Sequence, residues 1–178
     1  MKTVIISIRR ENNLNIESGA KKLELRTMPP MCELPLRVLT YESGPGGRHA
    51  ITNEWICDVR IQLSPVTAML AAPDACVDME YIRKYTELFK KPLYSLHISN
   101  LVVYKEPRSL GNYYRRCKKT RCDSCGFNDC RCVEKDGYSY DFETPGCLLH
   151  IMRAPQNYCY VAAELVGLKG GETRNEVY

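Results

Sequence analysis

The sequence has no long apolar run, no internal repeat, no low-complexity segment and little histidine, and each absence removes a class of protein. Without a stretch of some 20 apolar residues, no helix can span a bilayer. The opening run Val4-Ile5-Ile6 is short and soon meets Arg9-Arg10 with no small-residue cleavage site, so a secretory signal is not expected and the cytoplasm is the expected location. The missing repeat argues against a repeat architecture. Only three histidines are present, His49, His97 and His150. They are scattered, and the last two lie inside apolar runs, which reads as structural histidine in preference to a catalytic or metal centre. A formal net charge of +4 is mild, so overall balance does not by itself point to nucleic acid. What is present, 178 residues of which 44% are hydrophobic and 26% charged, suffices for one core and one domain with an insertion.

Cysteine is the exception to this scarcity. Ten are present, and five crowd into sixteen residues as Cys117, Cys122, Cys125, Cys130 and Cys132. In a chain expected in a reducing compartment such clusters read as metal ligands, not as disulfides. Cys122-Asp123-Ser124-Cys125-Gly126 has zinc-knuckle spacing, with Cys117 and either Cys130 or Cys132 to complete a tetrahedron. Four sulfur ligands leave no open position, so the expected Zn2+ is structural. Cys32, Cys57, Cys76, Cys147 and Cys159 stand singly among apolar neighbours and read as small core residues.

Periodicity predicts strands over residues 4–8, 22–26, 36–41, 55–61, 96–104 and 158–165. It predicts helices over 11–18, stopped by Gly19, and over 76–90, with Pro92 beyond the end. Gly44-Pro45-Gly46-Gly47 reads as a turn. Several short strands with two helices suggest an α+β fold built on a small, partly closed β-barrel, since closing a sheet protects its edges. The expected division is a single domain over 1–165, a basic cysteine-rich insertion over 105–135, and a flexible tail over 166–178.

One segment concentrates charge. In Gly19-Ala20-Lys21-Lys22-Leu23-Glu24-Leu25-Arg26, alternation puts Lys22, Glu24 and Arg26 on one side of a strand and Leu23 and Leu25 on the other, while the glycine lets Lys21 project from the corner. Such a row is either a site or a solvated face. Ser7-Ile8-Arg9-Arg10 followed by this segment resembles the ASCH domain, whose hallmark is Gly-x-Lys-x-x-Glu-x-Arg after a first strand and helix. Residues 98–104 with Pro107, and 153–161, are similar to a larger subgroup often carried by phages and bacteria, in which a cysteine-rich insertion separates the last two strands. The resemblance spans roughly residues 3–165.

It implies a PUA-like pseudo-barrel that binds RNA or a nucleotide in a cleft lined by Lys21, Glu24 and Arg26, with Arg9 where relatives often have lysine. Some family members hydrolyse an acetylated cytidine with a lysine, a threonine and a glutamate, and others are ribonucleases. Here Glu24 occupies the position of that threonine, and a carboxylate does not replace a hydroxyl proton for proton. Glu42 and Glu54 are candidates for the family's separate glutamate.

Physical chemistry allows the same site. Lys21, Lys22 and Arg26 can hold a phosphate while Glu24 accepts a proton from a ribose hydroxyl or a base amino group. A carboxylate between two cations has its pKa lowered, which suits an orienting acceptor better than a general base. Between residues 105 and 121 the chain carries seven cations, Arg115, Arg116 and Lys118 among them, against the single acid Glu106, with Tyr113 and Tyr114 interleaved. Cations for phosphates and tyrosines for unpaired bases suit single-stranded or looped RNA. The expectation is thus binding of RNA or a nucleotide-like ligand. Hydrolysis with Lys21 and Glu24 as the chemical pair, or a zinc-stabilised protein-interaction module, are the alternatives.

Overall fold

In the computed structural model, residues 1–88, 90–116 and 148–164 are described. Strand β1 (Lys2–Arg9) leads directly into helix α1 (Arg10–Glu17). Gly19, with φ 74°, makes the left-handed turn that ends the helix and turns the chain into β2 (Leu23–Arg26). β3 (Leu36–Ser43) and β4 (Ile51–Cys57) form an antiparallel pair, followed by β5 (Arg60–Leu63), helix α2 (Pro65–Ala71) and helix α3 (Met79–Arg83), which continues as a π-helix over Lys84–Leu88. β6 (Leu93–His97), β7 (Ser99–Arg108), β8 (Tyr113–Arg116), β9 (Leu148–His150), β10 (Tyr158–Val161) and β11 (Ala163–Glu164) complete the described elements.

Among the described residues the strands form three sheets, in the orders β10-β1-β3-β4-β7, β2-β6-β5 and β11-β8-β9, and no closed barrel. β1 and β3 are parallel through eight register pairs, from Lys2 opposite Leu36 to Arg9 opposite Ser43. A parallel pair at the centre of a sheet needs cover on both faces. Val4, Ile6, Ile8, Val38 and Trp55 face one core with Ile16 of α1 and Leu96 of β6. Ile5, Leu39, Tyr41 and Ile51 face a second core with Tyr113 and Ile151. The β2-β6-β5 sheet buries Leu25 and Leu93 against Ala68 of α2, Ala72 just beyond its end and Ile82 of α3, a third core. At roughly 1.5–3 kcal/mol for each fully buried aliphatic or aromatic side chain, these cores outweigh any surface ion pair.

The α+β class is as expected, but three expected strands divide. The run 55–61 breaks at Asp58-Val59, 96–104 breaks at Ile98, and 158–165 breaks at Ala162; each half joins a different sheet. The run 76–90 is helical only from Met79, and α2 was not foreseen. α2 begins at a capping box in which the Ser64 hydroxyl accepts from the Thr67 N–H and the Thr67 hydroxyl accepts from the Ser64 N–H. Residues 105–116 of the expected insertion lie in β7, a 3-10 turn and β8. Lys118, all five clustered cysteines, Cys147 and the tail lie outside the described residues. No helix among the described residues is long and apolar enough to cross a membrane.

Candidate functional site

The charged segment folds into a compact cluster because its neighbours fix both ends of it. Lys21 N–H donates to Asn15 O (2.8 Å) at the end of α1, and the N–H groups of Lys22 and Leu23 donate to Asp74 O at 2.7 and 3.0 Å. β2 then pairs with β6, Glu24 opposite Leu96 and Arg26 opposite Tyr94. Leu23 and Leu25 pack with the third core, so the pleat sends Glu24 and Arg26 to the other side.

There Lys21 Nζ lies 3.5 Å from Glu24 Oε2, and Arg26 Nε lies 2.9 Å from Glu24 Oε1. Lys21 is 2% exposed and Glu24 6%. Lys21 also donates to Ala75 O, and Arg26 Nη2 donates to Ser7 O at 2.7 Å. Asn157 Oδ1 accepts from Arg26 Nη1 at 3.4 Å, while Asn157 Nδ2 donates to Met28 O at 2.6 Å. The Arg26 Nε hydrogen is nevertheless buried without an aligned acceptor, for the Glu24 contact is a close charge pair and not a straight hydrogen bond.

Two tyrosines missed in the sequence stand together on the neighbouring helix, one of them within electrostatic reach of this cluster. Tyr81 and Tyr85 stand four residues apart on α3 and the π-helix, with ring centroids 4.8 Å apart. Burial pushes the Tyr81 phenol up to about 12, helped by Tyr85 and by the charge of Glu24, and opposed by Arg26. The spacing of two tyrosines at i and i+4 was the available signal. A π-turn interrupting a helix is itself a frequent companion of functional sites.

The remaining candidates are placed elsewhere. Lys22 is exposed, and its main chain ties β2 to Asp74 and Ile98. Arg9 is exposed at the end of β1, its stem beside Gly44, and makes no ion pair with Glu24. Tyr113 and Tyr114 are buried, contrary to the expectation that they stack on bases; Tyr113 fills the second core, and Tyr114 packs on His150 at 4.2 Å. His97 pairs with Asp58 at 2.7 Å, and His150 contacts Gly111 O, as structural histidines do.

Glu42 and Glu54 sit in two other networks. Glu42, fully buried, accepts from Arg10, Asn13 and both the backbone and guanidinium of Arg48. Burial alone would raise its pKa, but the hydrogen bonds of Arg48 and Asn13 hold it down at about 2. Glu54 accepts from Arg37 and Tyr104, and Arg37 also holds Glu164 at 2.8 Å. Neither carboxylate pairs with Lys21. Among the described residues no group of three His, Cys, Asp or Glu side chains is placed to hold a metal ion.

The fold is that of solved ASCH domain structures. The chain is similar to the crystal structure of ASCH from Zymomonas mobilis, at 21% identity and TM-score 0.54, covering 61% of this chain and 74% of that one. A tyrosine-to-phenylalanine variant of that protein matches at 20% identity and TM-score 0.54, covering 62% and 77% of the two chains. No family model matches the sequence, and no curated protein matches it.

Proposed function

We propose that this chain is an ASCH-type, PUA-like module that binds RNA or a nucleotide-like ligand in the cleft around Lys21, Glu24 and Arg26. The observation that carries the reading is the buried Arg26 N–H that lacks an aligned acceptor, next to a carboxylate fixed between two cations. Buried donors are rarely left unpaired, and a ligand oxygen would satisfy this one. Glu24 can accept from an exocyclic amino group of a base, and the Tyr81–Tyr85 pair offers aromatic faces for stacking.

Hydrolysis of RNA or of a modified nucleobase is the second reading. It is favoured by the 3.5 Å separation of Lys21 and Glu24, close enough for both to act on one substrate atom. One experiment separates the two. Pooled cellular RNA is incubated with wild type and with Glu24→Gln, then analysed by mass spectrometry for strand breaks and nucleoside composition. Binding predicts intact RNA, retained by the wild type, and an Arg26→Ala variant weaker by about 10- to 100-fold, the worth of a charge-assisted hydrogen bond. Breaks or altered nucleosides that disappear in Glu24→Gln would establish an enzyme instead. Retention no better than that of another protein of similar charge would support an interaction module.

The spacing of Cys117, Cys122, Cys125, Cys130 and Cys132 further supports a structural Zn2+, four of them closing its coordination sphere. Elemental analysis of the purified chain is expected to give one zinc per molecule, lost in Cys122→Ser/Cys125→Ser. Equal zinc in both proteins would refute the assignment.

A further inference from the structure

A concave surface lies along β10. A groove of about 590 Å³ runs between the start of β1, the end of β8 and the whole of β10, lined by Lys2, Arg115, Arg116, Tyr158 and Tyr160 among others. That volume is within the range of ligand-sized clefts, roughly 300–1,000 Å³. None of the lining residues carries a carboxylate. Two other arginines are already engaged: Arg108 pairs with Glu164 at 2.9 Å and lies over the Tyr104 ring, and Arg37 bridges Glu54 and Glu164. Lys2, Arg115 and Arg116 make no ion pair among the described residues. Tyr158 and Tyr160 meet edge to face at 5.7 Å, and Tyr160 is 41% exposed. Three cations with an open tyrosine and no competing acid are the elements of a strand-binding groove. Cys159, between the tyrosines, does not make the groove a nucleophilic site, because burial pushes its thiol up to about 11.

The groove and the cleft are joined by the chain itself. Asn157, which accepts from Arg26, is the residue before Tyr158 at the start of β10. Arg26 is thus one hydrogen bond and one residue removed from Tyr158, which lines the groove.

We infer that the groove formed by Lys2, Arg115, Arg116 and β10 carries the phosphodiester backbone of a single-stranded RNA whose base is held in the Arg26 cleft. The inference rests on the function proposed above and adds to it the class of ligand: an oligonucleotide in place of a mononucleotide. Each phosphate neutralised on a single strand contributes about −0.7 to the slope of log affinity against log salt. Three contacts thus cost about 20-fold in affinity between 50 and 200 mM salt, and Lys2 alone costs about threefold.

The test is fluorescence anisotropy with a labelled mixed-sequence 10-mer RNA at those two salt concentrations, with a nucleoside monophosphate as a second probe. The variants are Arg115→Ala/Arg116→Ala, the charge-preserving Arg115→Lys/Arg116→Lys, and Arg26→Ala. The alanine pair should bind the 10-mer more weakly and lose about sevenfold of the salt effect, while the lysine pair keeps it and both bind the monophosphate as wild type does. An alanine pair with wild-type affinity and slope for the 10-mer overturns the groove. If Arg26→Ala still weakens the monophosphate in that case, the cleft reading stands without it. Wild-type protein that binds neither probe overturns both.

Discussion

Glu42→Gln is expected to destabilise this protein by about 3–5 kcal/mol, read as a large fall in thermal midpoint, although the residue is remote from the Lys21–Glu24–Arg26 cluster. Its carboxylate is wholly buried and accepts from α1, through Arg10 Nη1 at 3.0 Å and Asn13 Nδ2 at 2.7 Å, and from the β3–β4 turn, through Arg48 N at 2.8 Å. Asn13 in turn accepts from Asn53 at 2.7 Å and donates to Thr52 at 3.0 Å, so helix, turn and β4 share one polar knot. Glutamine has one acceptor oxygen where the carboxylate has two, and its NH2 would face donors. Each buried donor left short of an acceptor, that of Asn13 among them, costs about 1–3 kcal/mol.

The same residue sets an acid limit. Its folded pKa of about 2 lies below the ordinary 4.5, so its contribution is fully present above pH 4.5 and is lost as the pH falls through 2. A shift of that size corresponds to about 3 kcal/mol. Wild type should therefore lose stability between pH 4.5 and 2 more steeply than Glu42→Gln, measured by denaturant melts at each pH. Parallel pH profiles would refute the knot as the cause.

The second large effect separates stability from function. Glu24→Ala leaves Lys21, 2% exposed, with Ala75 O but no counter-charge, and a loss of about 3–5 kcal/mol is expected. Lys21→Met/Glu24→Leu/Arg26→Met removes all three charges of the row and fills the same space with apolar atoms. Buried charge groups replaced in this way are often neutral or more stable, by roughly 1–4 kcal/mol. The triple variant should melt at or above the wild-type temperature and fail to retain RNA. That pattern would mean that the cluster is kept for its ligand and costs the fold something. A triple variant as unstable as Glu24→Ala, or one that still retains RNA, would refute that account.

The legible parts of the structure were those decided by local pattern. Gly19 after an eight-residue helix, the alternation Leu23-Glu24-Leu25-Arg26, and the corner lysine all follow from backbone geometry and pleat; Lys21, Glu24 and Arg26 lie together, while Lys22, expected on the same face as Glu24 and Arg26, is exposed. Three features were not legible. Val59 and Ile61 continue the alternation of Trp55 and Cys57, so nothing local marks the point at which the chain leaves one sheet for another. Tyr113 and Tyr114 sit in a segment with seven basic residues, and their burial is decided by Leu39, Ile151 and His150, which are distant in sequence. Tyr81 and Tyr85 read as one helical stripe among apolar spacings, and only the packing of Ile82 of α3 with Leu25 of β2 brings Tyr81 within reach of the charge of Glu24.

The strands that change sheet also bear on how the molecule opens. At each of two such corners the turning residue is itself bonded: Ile98 N–H to Lys22 O at 2.9 Å, and Ala162 N–H to Tyr114 O at 2.7 Å. Pulling either corner loose detaches one sheet from the next, so neither sheet is a separate cooperative unit. In hydrogen exchange, the amides of Ile98 and Ala162 should therefore exchange only through near-global unfolding. The Ile98 bond ends on Lys22, the neighbour of Lys21, so a molecule held at the cleft would slow exchange throughout the framework and not only at its own contacts.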